Sequence, residues 1–438
     1  MIVVAARIRR VAAAAMAFLA LSAAAVAAPH HVQAMAFYQG VGENTDLDAA
    51  FMASNFEWTE QSIFGNAAAA AYVAAGGKHA VLYTDPFVIF RCASADAGSC
   101  DDAESFKNRL PGGALLHDAA GAVVYDARRR EQRPNYASPE FRNAYAAELK
   151  RLIAASDGAW GPARGGYVEL DDMGNKNALR AWIGSWPAPV EIASDNAVIA
   201  SKATLVEGVA QVAAPLLNGV NYDWPDAYAA LFAAVGGRVH AYFNENCFAT
   251  DYGSGYQTGV EPAAEAWQHQ ELAIANVTGR GDTDICWGKG DPGPAHRLYY
   301  VASFWMTYDA IRSVAFEEMC APDTTPRGHC NTTWDDGYVV PTEPLQSASA
   351  DSLAALRAGS SAYAREFARC FDDARPIGRC AAVVNPSGGA TIPMPGLQGQ
   401  YGHTLRLSTR SLFGGSRHTW EPGAPTSLAP RSAVILAQ

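Results

Sequence analysis

The run Gly165-Gly166-Tyr167-Val168-Glu169-Leu170-Asp171-Asp172-Met173 constrains the fold most, because a short apolar strand ends there in two adjacent carboxylates and then meets Gly174-Asn175. Parallel sheets alternate strand and helix, and (β/α)8 barrels gather polar side chains at the carboxyl ends of their strands. The same rhythm runs along the chain. Residues 31–38 and 79–83 read as strands, the second running into Thr84-Asp85-Pro86, with a helix over 67–75 stopped by Gly76-Gly77. Residues 46–59 read as a helix or long loop carrying Trp58. Residues 121–125 are strand-like, and 138–155 are helical, with Ser138 as N-cap and Pro139 and Glu140 in the first turn. Further on, 198–217, 227–235, 261–275 and 298–311 read as mostly helical, and 238–243, 284–287 and 313–317 as strands. Strands separated mostly by helices predict an α/β chain, a (β/α)8 TIM barrel.

From about residue 363 the texture changes to Gly, Pro, Ser and Thr around short apolar runs, which predicts a small C-terminal antiparallel β domain. At the other end, Arg7, Arg9 and Arg10 precede an apolar run closing on Ala25-Val26-Ala27, the form of an export signal. The expected division is therefore a signal peptide over 1–28, the barrel over 29–361 and the β domain over 362–438. The protein is expected to be secreted or periplasmic, with no stable membrane insertion after signal cleavage. Loss of the three signal arginines takes the net charge from −11 to −14, which argues against nucleic acid and anionic lipid as partners. Eight cysteines in an exported chain are read as disulfides. They fall into the neighbours Cys92 and Cys100, Cys247 and Cys286, Cys320 and Cys330, and Cys370 and Cys380, although spacing alone leaves the connectivity open.

Alternation along 166–171 places Tyr167, Glu169 and Asp171 on one face and Val168, Leu170 and Asp172 on the other. The apolar face suits the surrounding helices, so Asp171 should look into the barrel and Asp172 should cap the turn. A second strand, Val239-His240-Ala241-Tyr242-Phe243, ends in Asn244-Glu245-Asn246. Cleavage of a glycosidic bond requires two carboxyl groups flanking that bond, one as acid and one as nucleophile or base. Glu245 is the natural partner for Asp171, and Asp85 is a further strand-end acid. Among the aromatics, Trp186, Trp224 and Trp287 sit near turns, where a ring could stack on a sugar, and Tyr83 is a further candidate. Gly288-Lys289-Gly290-Asp291-Pro292-Gly293 matches a dinucleotide fingerprint formally, but it lies deep in the chain and contains a proline, so it reads as a turn. The chain has no G-x-S-x-G, H-E-x-x-H or Walker A run. Neither a cofactor nor a metal is called for.

The export signal, Tyr83-Thr84-Asp85-Pro86, Gly166-Tyr167 with Leu170-Asp171-Asp172, the segment from Arg133 to Arg142, and the tail with Val383-Val384-Asn385-Pro386 and Leu428 to Leu436 together resemble barrel-type bacterial glycoside hydrolases related to endo-α-1,4-polygalactosaminidases. The resemblance implies an exported enzyme that cleaves O-glycosidic bonds of a poly- or oligosaccharide. It would use Asp171 and Glu245, with Asp85, Tyr83, Asn135, Tyr167, Glu169, Asp172 and Trp287 binding the sugar. It also implies a β-sandwich-like tail whose first hairpin Cys370 and Cys380 close. The alternative class is a carbohydrate-binding barrel that has lost catalysis.

Overall fold

The computed structural model describes residues 31–37, 49–86, 89–90, 110, 112–126, 131–132, 134–171, 173, 194–219, 222, 225–245, 247–248, 264–288, 294–317, 339–347, 356–358, 362–394, 396–397, 399–407 and 418–438. The expected signal segment, Asp172, Trp186, Trp224, and the pairs Cys92–Cys100 and Cys320–Cys330 lie outside them.

Eight parallel strands close into a barrel: β1 (Ala34–Phe37), β2 (Trp58–Gln61), β3 (His79–Thr84), β4 (Tyr167–Leu170), β5 (Ala214–Asn218), β6 (Ala241–Asn244), β7 (Thr283–Cys286) and β8 (Ser313–Glu317). Each pairs with its sequence neighbour, and β1 pairs with β8 to shut the ring. Seven helices accompany them among the described residues: α1 (Ala49–Asn55), α2 (Asn66–Ala74), α3 (Pro139–Ala155), α4 (Asp195–Ala210), α5 (Pro225–Val235), α6 (Ala264–Gly279) and α7 (Pro294–Met306). This is the expected (β/α)8 architecture.

Side-chain alternation splits the barrel into two cores. Met35, Val81, Leu216, Phe243, Ile285 and Phe316 meet in one cluster drawn from strands alone, which fills the bore. Their neighbours Ala36, Leu82, Leu217, Tyr242, Cys286 and Ala315 belong to the larger core shared with the helices. In α3, Phe141, Tyr145, Leu149 and Leu152 form the buried stripe, and the Ser138 hydroxyl caps the Phe141 N–H at 3.4 Å, as the sequence predicts.

Three sequence expectations are corrected. Residues 198–217 are not one helix: α4 ends at Ala210 and Ala214–Asn218 is barrel strand β5. Pro215 carries the reason, since a proline in a helix interior removes a hydrogen bond and clashes with the preceding turn. Trp58 opens strand β2 rather than lying in a helix or loop. The strand expected over 121–125 is not in the barrel. Tyr125–Asp126 joins Glu131–Gln132 and Ile89–Phe90 in a small antiparallel sheet between β3 and α3.

The C-terminal region forms an antiparallel sheet of β9 (Val339–Pro344), β10 (Ala362–Asp372), β11 (Arg375–Asn385), β12 (His403–Leu407), β13 (His418–Pro422) and β14 (Ser432–Ala437), with Arg357–Ala358 pairing on β10. It therefore begins before residue 362, because Val339–Pro344 pairs along β10. One face of this sheet, with Ala381, Val383, Val434 and Leu436, has a core of its own beside the two-stranded sheet Ile392–Pro393 and Ser427–Leu428. The other face, with Tyr363, Phe367, Ala382, Val384 and Ile435, merges into the core around the barrel. Helix α7 lies between the two, and it is buried at every residue from His296 to Met306. Cys370–Cys380 bridges the β10–β11 hairpin, and Cys247–Cys286 joins the segment after β6 to the end of β7.

Candidate active site

The approach to β4 is set by backbone contact. A Cβ on Gly166 would lie 2.3 Å from the Ala159 carbonyl oxygen, so only glycine lets the chain pass α3's end and enter the barrel. From there the alternation that puts Tyr167 in the bore also puts Glu169 and Asp171 inward. The same parity, followed two residues beyond the apolar layer, reaches Glu60 on β2, Tyr83 on β3, Asn218 on β5, Glu245 after β6 and Trp287 after β7. All stand at the carboxyl ends of their strands, where barrels collect reactive groups.

Hydrogen bonds join these side chains into one group. The Asn218 amide nitrogen donates to Glu169 Oε1 at 2.5 Å and to Glu245 Oε1 at 2.6 Å. Its oxygen accepts the Gly219 N–H, which fixes the amide orientation, because a backbone N–H can only donate. Tyr83 donates its hydroxyl to Asp171 Oδ2 at 2.5 Å. The Asp171 N–H in turn bonds the Thr84 carbonyl at 2.9 Å, carrying the β3–β4 pairing one residue past the strand. The Asn218 carbonyl holds the Met173 N–H at 3.0 Å, just beyond Asp171.

Burial divides the acids. Glu169 and Asn218 are 0% and 1% exposed, and Glu60 is also buried, whereas Asp85, Asp171 and Glu245 are half-buried and reach solvent. Glu169 Oε2 has no hydrogen-bond partner. Burial holds the Glu169 carboxyl well above the usual carboxylate range, and the nearby Glu60, Asp171 and Glu245 push it further; the Asn218 bond acts in the opposite sense. The Tyr83 hydroxyl is likewise raised, by burial first and then by Asp171 and Asp85, so it stays a donor to Asp171. The site thus combines a fully buried carboxyl of raised pKa at depth with three half-buried acids at the mouth.

Of the sequence candidates, Asp171, Glu245, Tyr83 and Glu169 come together here. Asp85 follows β3 at the same end, close enough for its charge to act on Tyr83. Trp287 sits at the end of β7 with its ring on Phe243 and Phe316, at centroid distances of 6.0 and 4.7 Å, half-buried over the apolar layer. Tyr167 is inward but at the opposite mouth, packed on Trp58 at 4.8 Å and His79 at 5.7 Å. Four residue steps, about 13 Å along the strand, lie between it and Asp171. It lines a separate cleft of about 300 Å³ with Arg238 and His240. Asn135 is spent on the turn before α3, where its side-chain oxygen accepts the Ala137 N–H at 3.1 Å. Glu60 and Asn218 were missed because their strands were not read as strands. An acid two residues after Trp58, and an Asn after the apolar Pro215-Leu216-Leu217, were the available signals. Of the Gly-rich run that begins at Gly288, only Gly288 lies within the described residues; it is closely packed, and a Cβ there would meet the Tyr300 ring at 2.3 Å.

No family model and no curated protein matches the sequence. Among solved structures the chain is similar to a pullulanase from Paenibacillus barengoltzii complexed with maltotriose, at 11% identity and a TM-score of 0.40, over 86% of this chain and 61% of that one. The chain thus spans about three fifths of that pullulanase. It is also similar to a maltogenic α-amylase from Thermotoga neapolitana, at 7% identity and a TM-score of 0.37, over 92% and 98% of the two chains. A third is an α-galactosidase from Lactobacillus brevis, at 10% identity and a TM-score of 0.35, over 93% and 55%.

Proposed function

We propose that the chain is an exported glycoside hydrolase that cleaves O-glycosidic bonds of a poly- or oligosaccharide with two carboxyl groups, Asp171 as nucleophile or base and Glu245 as acid. The observation that carries this reading is that Asp171 and Glu245, from different strands, are both half-buried at one barrel mouth and both act on the same buried carboxyl, Glu169. Acids at such a mouth can flank a bond that enters from solvent.

Spacing by itself would favour a different pair. Asn218 bridges Glu169 and Glu245 with two short bonds, which keeps those oxygens within about 5 Å, near the spacing of a retaining glycosidase. Access argues against it, since Glu169 is fully buried and a sugar ring needs a carboxylate it can touch. Asp171 is exposed enough for that task and is oriented by Tyr83. The Tyr83 hydroxyl neutralises part of its charge in the resting site and can be displaced as the sugar enters. The raised pKa of Glu169 disfavours a further negative charge at depth. Trp287 offers an apolar face beside the acids for a sugar ring, and Asp85 a hydrogen-bond acceptor.

The test is release of new reducing ends from a panel of polysaccharides by the wild-type chain, Asp171→Asn and Glu245→Gln. Each substitution should lower the rate by about 10²–10⁴-fold with the fold intact. Unchanged activity in either variant removes that residue from the mechanism, and sugar binding without release by the wild type would make the chain a binding protein.

A further inference from the structure

On the reading that Glu245 and Asp171 are the working acids, we infer that Asn218 is a positioning residue that sets the geometry of both. Its side chain and its main chain reach in two directions. The two protons of its amide nitrogen go to two different carboxyls, Glu169 at 2.5 Å and Glu245 at 2.6 Å, so Glu245 is held from below by a neutral donor. Its carbonyl accepts the Met173 N–H at 3.0 Å, which fixes the backbone two residues after Asp171. One residue at the end of β5 therefore ties the acid after β6 to the segment that follows β4.

The residue type matters. A carboxylate at this position would face Glu169 and Glu245 with no proton to share, and like charges at that distance repel. A hydroxyl could serve only one of the two acceptors. Leu or Ala would remove the Asn218 donor from both carboxyls. Asparagine alone combines a two-proton donor with an oxygen that the Gly219 N–H can anchor, so the donor cannot rotate away. The amide also stands between the acid that must change protonation state during turnover and the Glu169 carboxyl, whose pKa burial and its acidic neighbours raise.

The role can be read without substrate. In the full chain with ¹⁵N-labelled asparagine, Glu245→Gln should move one Asn218 side-chain proton signal and Glu169→Gln the other, because each carboxyl oxygen acceptor is exchanged for an amide one. Asn218 signals that stay in place in Glu245→Gln overturn the proposal whether or not the chain hydrolyses sugar. On any polysaccharide the wild type cleaves, Asn218→Ala and the isosteric Asn218→Asp should lower kcat about 10- to 100-fold while KM stays within about twofold. A fall confined to KM, or wild-type kcat in a folded variant, also overturns it. A chain that shows the proton signals moving but releases no sugar refutes the hydrolase reading alone.

Discussion

At the scale of the residue, Asp284 is the acid whose behaviour follows most directly from its surroundings. It points away from the bore on β7, is fully buried, and accepts the Tyr222 hydroxyl at 2.9 Å, while its second oxygen has no partner. Burial pushes it up to about 7. The native state therefore keeps a proton that the unfolded chain, with an ordinary pKa of about 3.9, releases. Stability from this group is full below about pH 4 and falls as pH rises toward 7, by about 1.4 kcal/mol per unit. Asp284→Asn keeps an acceptor for Tyr222 and carries no charge. Its melting temperature should exceed that of the wild type at about pH 8 and converge with it near pH 4; a variant less stable at both would refute this account. At this same scale, the two-residue period of the acidic strand selected Asp171 and Glu169 as inward, and a second apolar strand ending at Glu245 supplied the candidate partner for Asp171. That Asn218 joins Glu169 to Glu245 was not legible, because a hydrogen bond between three strands depends on barrel closure, which no local pattern encodes.

At the scale of the element, the ends of β6 and β7 are tied to each other. The Cys247–Cys286 bridge encloses a sequence separation of 39 residues and anchors the chain two residues after Glu245 to the end of β7. The Cys247 N–H bonds the Trp287 carbonyl, and the Trp287 N–H bonds the Asn244 carbonyl, both at 3.0 Å, so the acid sits in a segment held on both sides. Loop-closure entropy for that length is worth about 3–4 kcal/mol. Replacing both cysteines with alanine should lower the unfolding free energy by about that amount in denaturant titration. It should also lower activity more than Cys370→Ala with Cys380→Ala, whose bridge lies in the β domain. Equal losses of activity in the two double variants would show that the bridge does not support Glu245. Elements with long apolar periods, such as α3, and strands bounded by glycine, such as β3, were legible in the sequence. Strand β5 was not, because Ala-rich neighbours make it look helical; Pro215 was the contrary signal. Strand β2 was hidden for the opposite reason, since four residues with one acid and one glutamine carry too little pattern.

At the scale of the whole molecule, the change of texture near residue 363 marked the β sheet but not its attachment. One face of that sheet lies on α7 and shares its core with the barrel. Arg365 fastens the two. Its guanidinium, 3% exposed, donates to the carbonyls of Trp305, Met306 and Tyr308 at 3.0, 3.2 and 3.0 Å, at the C-terminal end of α7 and just beyond it. Burial lowers its pKa only to about 10, so it remains charged. Arg365→Met keeps the apolar stem and removes the donors; it should cost about 2–4 kcal/mol and lower the melting temperature of the barrel as well as of the sheet. Melting of the barrel at the wild-type temperature would show that the sheet is not part of its stability.

The most direct test of the central claim remains the reducing-end assay on purified wild-type chain, Asp171→Asn and Glu245→Gln, with circular dichroism to verify the fold of each. The wild type should release sugar from at least one polysaccharide, and both variants should lose about 10²–10⁴-fold in rate. Wild-type rates in either folded variant would contradict it.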